Sequence, residues 1–197
     1  LIVTSVIVST VAYGLYRYRE QRIDNLYAEA AGIAPAFHGT KDAQTATRAL
    51  ATYGGDRTTG MLLNIALGRT AFTWPDVQGE AIGALASRRD PAVSTALAIV
   101  LQPHQPLPTR QAAAQALQVL PCTPESFWAI LHYLERVWQG ELNYEDRTNY
   151  PPGLNDGVKA DLTKDQQDVY QALYRTLKRE PKLALGTLVQ VYGLGTD

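Results

Sequence analysis

The strongest constraint on this chain is a period. The segments DAQTATRALA (Asp42–Ala51), DVQGEAIGALA (Asp76–Ala86) and TRQAAAQALQ (Thr109–Gln118) superpose on their Ala-Leu pairs, Ala49-Leu50, Ala84-Leu85 and Ala116-Leu117, at offsets of 35 and 32 residues. Companion segments follow them. DRTTGMLLNIAL (Asp56–Leu67) lies over DPAVSTALAIVL (Asp90–Leu101) at an offset of 34, which pairs Leu63, Ile65 and Leu67 with Leu97, Ile99 and Leu101. A third companion opens with TPESFWAILHYL at Thr123. Self-similarity at roughly 20 to 50 residues marks a fold built by stacking one supersecondary unit.

Each segment has the spacing of an amphipathic helix of about three turns. Ala81, Ile82 and Leu85 share one face, and Ala92, Val93, Ala96, Leu97, Val100 and Leu101 form a wide stripe on the next helix. Small Ala side chains let two helices approach closely while Leu and Ile fill the gap. Asp90-Pro91 and Thr123-Pro124 place a capping side chain before a proline at the first helical position, where the missing N–H does no harm. The units are therefore helical hairpins. One hairpin cannot bury its own apolar face, and stacked hairpins can.

The stretch PDVQGEAIGALASRRDPAVSTALAIVL, Pro75 to Leu101, resembles a short HEAT repeat of the kind found in phycobilisome-lyase-like proteins. That pattern has an Asp-Val opening, an Ala-rich first helix, an Asp-Pro turn and a Leu-rich second helix. The Arg usual after the opening is Gln78 in this unit, and Arg110 occupies it in the next. The resemblance covers residues 41 to 138 and implies an armadillo-like, all-α solenoid of stacked hairpins. For activity it implies little, because such repeats serve unrelated roles. The one enzymatic expectation it brings is a bilin lyase or isomerase, and a membrane span argues against a soluble antenna substrate.

Before the repeats, LIVTSVIVSTVAYGLY (Leu1–Tyr16) carries no charge and runs directly into Arg17, Arg19 and Arg22, which surround the single acid Glu20. About 20 apolar residues cross a hydrocarbon layer of roughly 30 Å, so this run needs only a few more upstream, or Tyr16 and Tyr18 as interfacial anchors. A segment upstream of Leu1 is expected, since no initiator Met is present. The run is rich in β-branched residues, which lower helix propensity in water, but a lone segment in lipid must satisfy its own backbone. A buried strand or core helix is the alternative, and the abrupt change at Arg17 speaks against it. The arginines follow the apolar run, whereas a cleaved leader carries them before it, so the expectation is an anchor. They also favour a cytoplasmic side for the repeats.

The expected organisation is a transmembrane helix with its basic flank at residues 1–22, a connecting helix and linker at 23–40, and a HEAT-like domain at 41–197. Ile23, Leu26, Tyr27 and Ala30 or Ala31 continue the helical spacing until Gly32 and Pro35 end it. A long loop is expected at 138–161, where Asn, Gly, Pro and Tyr accumulate. Helix then resumes with Thr163 and Gln166 as a capping box, and a final helix opens at Glu180-Pro181.

Chemistry is thin. Lys+Arg 18 nearly cancel Asp+Glu 19, which leaves no field to hold nucleic acid. One cysteine, Cys122, excludes an internal disulfide and any multi-Cys metal site, and His38, His104 and His132 are too scattered for a metal cage. No phosphate loop, nucleophile elbow or metalloprotease helix occurs. His132, near Phe127, Trp128 and Tyr133, has the side chain to ligate a haem or chlorophyll in an electron-transfer subunit, but it reads first as a packing or surface histidine; His104 in QPHQPLP is a rigid connector or a partner contact. No cofactor, metal or small-molecule substrate is expected. The long loop is the most suggestive element, because Trp138, Tyr144 and Tyr150 supply the flat amphipathic area enriched at interfaces. Arg88-Arg89 at an inter-helix turn are candidate rim contacts. The expectation is a non-enzymatic accessory or scaffold subunit whose span packs on other integral membrane subunits; a respiratory or photosynthetic complex is a natural setting.

Overall fold

The computed structural model describes residues 2–33, 35–72, 74–102, 104–138 and 164–183, with side chains described from residue 11 onward except at 135–138, 164–168 and 170. Every regular element among them is a helix: α1 (Ile2–Ala30), α2 (Thr40–Ala51), α3 (Asp56–Ala66), α4 (Pro75–Ala86), α5 (Pro91–Ile99), α6 (Leu107–Leu117), α7 (Pro124–Trp138) and α8 (Lys164–Arg179). The all-α expectation holds. Two compact units divide the chain, Leu1–Ala81 and Ile82–Asp197.

In the first unit, α1 packs along α2 and touches α3, and α2 packs on α3. Among the described side chains, those of the C-terminal half of α1 take part: Ile23, Leu26 and Ala30 are buried, with Ala31 just beyond the helix, and so are Ala43, Ala46 and Leu50 of α2 and Leu62, Ile65 and Ala66 of α3. The helix stops at Gly32, whose φ of +71° is open to glycine at little cost. The Ile33 amide reaches back to the Ala28 carbonyl at 2.8 Å, which closes a Schellman-type end. A Cβ on Gly32 would lie 2.7 Å from the Phe72 ring, so close approach demands glycine as well. That ring belongs to a stack of Phe37, Phe72 and Trp74, with Phe37 and Trp74 centroids 5.0 Å apart.

In the second unit, α5 packs on α6 and α7, and α8 packs on α6 and α7. The caps behave as the sequence predicts. Asp90 accepts from the Ala92 amide at 2.9 Å with Pro91 at the first helical position. Thr123 and Ser126 exchange bonds, the Thr123 amide donating to Ser126 Oγ at 2.9 Å and the Ser126 amide to Thr123 Oγ1 at 3.1 Å. Thr95 and Thr123 hydroxyls meet at 2.8 Å, tying α5 to the start of α7. Helix resumes after Glu180, with residues 181–183 helical. Thr163 lies outside the described residues.

Burial recurs with the sequence period. Ala43, Ala46, Thr47 and Leu50 of α2 are buried, as are Gln78, Ala81, Ile82 and Leu85 of α4 and Arg110, Ala113, Ala114 and Leu117 of α6. These sets are related by the expected offsets of 35 and 32. The second helices need a correction. Thr58, Leu62, Ile65 and Ala66 bury where Val93, Leu97, Val100 and Leu101 do, an offset of 35 rather than 34. Matching leucine to leucine put Ile65 over Ile99, which is 48% exposed. The buried face of α5 also turns slightly, taking Ser94 and Ala98 and leaving Ala92 exposed.

Among the described residues no helix is long and apolar enough to cross a membrane. The uncharged run ends at Tyr16, and the remainder of α1 is charged and half-docked on the first unit.

Candidate functional site

The part of α1 that precedes its docked half sets the first unit apart. Val11, Leu15 and Tyr18 are 56%, 66% and 68% exposed, while Ile23 and Leu26 on the same helix are 3% and 9% exposed. Tyr13 and Tyr16 are exposed as well. At 100° per residue, 11, 13, 15, 16 and 18 span about 220° of the axis, and the remaining arc holds Gly14 and Arg17. A helix apolar over so wide an arc is normally buried in protein or in lipid, and residues 11–19 are all exposed.

The docked half is held by charge as well as by packing. Arg57, on the first turn of α3, bonds to both Glu20 and Asp24 of α1, and their carboxylates raise its guanidinium above the ordinary arginine value, Asp24 most strongly. Arg19 lies 5.9 Å from the Tyr53 ring centroid, a cation–π approach from α1 to the turn between α2 and α3. Arg17 and Arg22 are exposed. A second pair, Arg48 on α2 with Glu80 on α4, holds the Glu80 carboxyl below the usual carboxylate range, through the hydrogen bond first.

Among the described residues expected to contact a partner, Arg88-Arg89 and His104 are not brought together. Arg88 is half-buried, and burial pushes its guanidinium below the ordinary value. Arg89 is exposed with φ +52°, the left-handed residue that ends α4. His104 is exposed in the connection from α5 to α6. Arg89 and His104 therefore stand at opposite ends of α5, about 14 Å of helix apart at 1.5 Å per residue. Trp138 is the last residue of α7 rather than part of a loop. Tyr144, Tyr150 and the loop around them lie outside the described residues. His132 is exposed on α7.

Two features carry no local sequence signal. Arg179, at the end of α8, donates to the Leu120 carbonyl at 2.7 Å and to the Gln118 carbonyl, and so caps the C-terminal end of α6 from 59 and 61 residues away. Beside it, Gln118, Arg175, Thr176, Lys178 and Arg179 line a surface cleft of about 390 Å³. Cys122 is half-buried, and burial raises its thiol above the ordinary value, so it is a poor nucleophile at neutral pH. Among the described residues no three His, Cys, Asp or Glu side chains are grouped to hold a metal ion.

No family model matches the chain, and neither a characterised protein nor a solved structure matches it. The likeness of residues 75–101 to a short HEAT repeat accordingly rests on those residues alone.

Proposed function

We propose that this chain is a membrane-anchored helical-repeat subunit that acts by protein–protein contact, with α1 entering the bilayer and stacked HEAT-like hairpins presented on the cytoplasmic side. The observation that carries the reading is the exposure of Val11, Tyr13, Leu15, Tyr16 and Tyr18 on a helix whose later turns bury Ile23, Leu26 and Ala30. Water is a poor environment for such a rod, since each large apolar side chain left exposed forgoes about 1.5 to 3 kcal/mol of burial. Lipid and neighbouring transmembrane helices are the environments that suit it. Residues 2–18 extend about 26 Å as helix, close to the roughly 30 Å of a hydrocarbon layer. A short span of this kind is accommodated by local thinning or by association with other helices.

The hydroxyls and small residues of the run, Thr4, Ser5, Ser9, Thr10 and Gly14, favour close helix approach in lipid. The recurrent burial at offsets of 32 to 35 supports the repeat reading, and Arg88, Arg89, His104, Trp138, Tyr144 and Tyr150 remain the proposed contacts. Extraction from native membranes in mild detergent, followed by native mass measurement, tests the proposal. Stoichiometric integral membrane companions are expected; a lone monomer with no companion contradicts it.

A further inference from the structure

We infer that the turn between α2 and α3, together with the arginine-bearing turn of α1, forms a collar that rests on anionic phospholipid headgroups. This inference takes the membrane reading of α1 as its premise and says where the first unit sits once that holds. The height of the turn follows from two contacts. Tyr53 lies against Arg19, and Arg57 of α3 grips Glu20 and Asp24. Arg19 is three residues beyond Tyr16, the end of the uncharged run, which is about 4.5 Å along the axis. That distance falls within the headgroup layer, about 5 to 7 Å thick on each side of the hydrocarbon by the usual bilayer dimensions.

Charge selects the ligand. Arg17 and Arg19 are the first charges on α1 after Tyr16, and Arg22 follows within the next turn and a half. The acids on that stretch, Glu20 and Asp24, are both occupied by Arg57, so they do not oppose the approach of a phosphate. Asp56 is the one other acid beside the turn, and it is exposed and free to turn toward water. Tyr16, Tyr18 and Tyr53 supply the amphipathic rings that favour this depth. The tip of the turn is Gly54-Gly55, exposed, with no atom within 4 Å of where a Cβ would stand on either glycine, so nothing bulky holds the backbone away from a surface.

The test uses the whole chain with Cys122→Ser and a single bimane-labelled cysteine, either Gly54→Cys at the turn or Lys41→Cys at the other end of α2, reconstituted into vesicles containing a headgroup nitroxide lipid. In phosphatidylcholine vesicles with phosphatidylglycerol, the Gly54→Cys label is expected to be quenched at least about twofold more than the Lys41→Cys label, and Arg17→Gln with Arg22→Gln should reduce that difference. Equal quenching at the two sites in a chain that stays with the vesicles overturns the collar and leaves the anchor standing. Quenching indifferent to phosphatidylglycerol overturns the anionic selectivity. A chain that fails to stay with the vesicles removes the anchor and the collar together.

Discussion

The two halves of α1 differ in chemistry and in surroundings: the run to Tyr16 carries no charge, and the later half holds Arg17, Arg19, Glu20, Arg22, Asp24 and Glu29. Val11 and Leu15 stand exposed, while Ile23 and Leu26, on the same helix, are closed off by α2 and α3. The difference does not arise from helix propensity, which would carry both halves alike. It arises from what each half is offered: the later half packs on α2 and α3 and finds an arginine for its acids, and the described side chains before it, Val11 to Tyr16, stand exposed.

That contrast sets the sizes of the effects. Ile23→Ala should lower the stability of the first unit by about 3 kcal/mol, read as a fall in the thermal midpoint, whereas Leu15→Ala should leave the midpoint unchanged; equal losses would erase the contrast. Val11→Arg reverses the asymmetry, lowering membrane integration by about 2.5 to 3.5 kcal/mol in an insertion assay while the melt of the detergent-solubilised chain stays the same.

Gly32→Ala, at the end of the docked half, should cost about 2 kcal/mol, because it forces a left-handed residue against the Phe72 ring. Arg89→Gly is its converse, and a gain of about 0.5 to 1 kcal/mol in the melt is expected, since Arg89 already stands at a positive φ.

The smallest effect is electrostatic. Glu80 sits below its unfolded value in the fold, so its pairing with Arg48 adds stability above the usual carboxylate range and loses it as pH falls through the lowered value. Glu80→Gln should therefore lower stability slightly from neutral to alkaline pH and converge on the parent below the carboxylate range, which flattens the acid limb of a stability–pH curve. A loss that persists undiminished at acid pH would contradict the pairing.

How much of this was legible depended on range. The helices, the Asp90-Pro91 and Thr123-Pro124 starts and the Gly32 stop are all written within a few neighbouring residues, because caps and periodicity are local. The register of the second helices was not, because Leu63 and Leu67 look like core leucines and only half fill that role; Leu62 and Ala66 are the ones enclosed. Burial of Gln78 was hidden too, since nothing near it announces that its amide donates to the Ala66 carbonyl at 3.1 Å. Its counterpart Arg110, also buried, shows that this position of the first helix accepts a polar side chain inside the pair. Arg57 reaching Glu20 and Arg179 reaching the end of α6 are pairings between distant segments, invisible to any spacing rule. Arg88-Arg89 and His104, expected as partner contacts, lie in the connections on either side of α5.

The central claim is that the first half of α1 lives in lipid. Alkaline carbonate washing of membranes from cells expressing the chain tests it most directly. The chain should remain in the pellet and leave it only with detergent; recovery in the wash, as a folded protein that needs no detergent, would contradict the account.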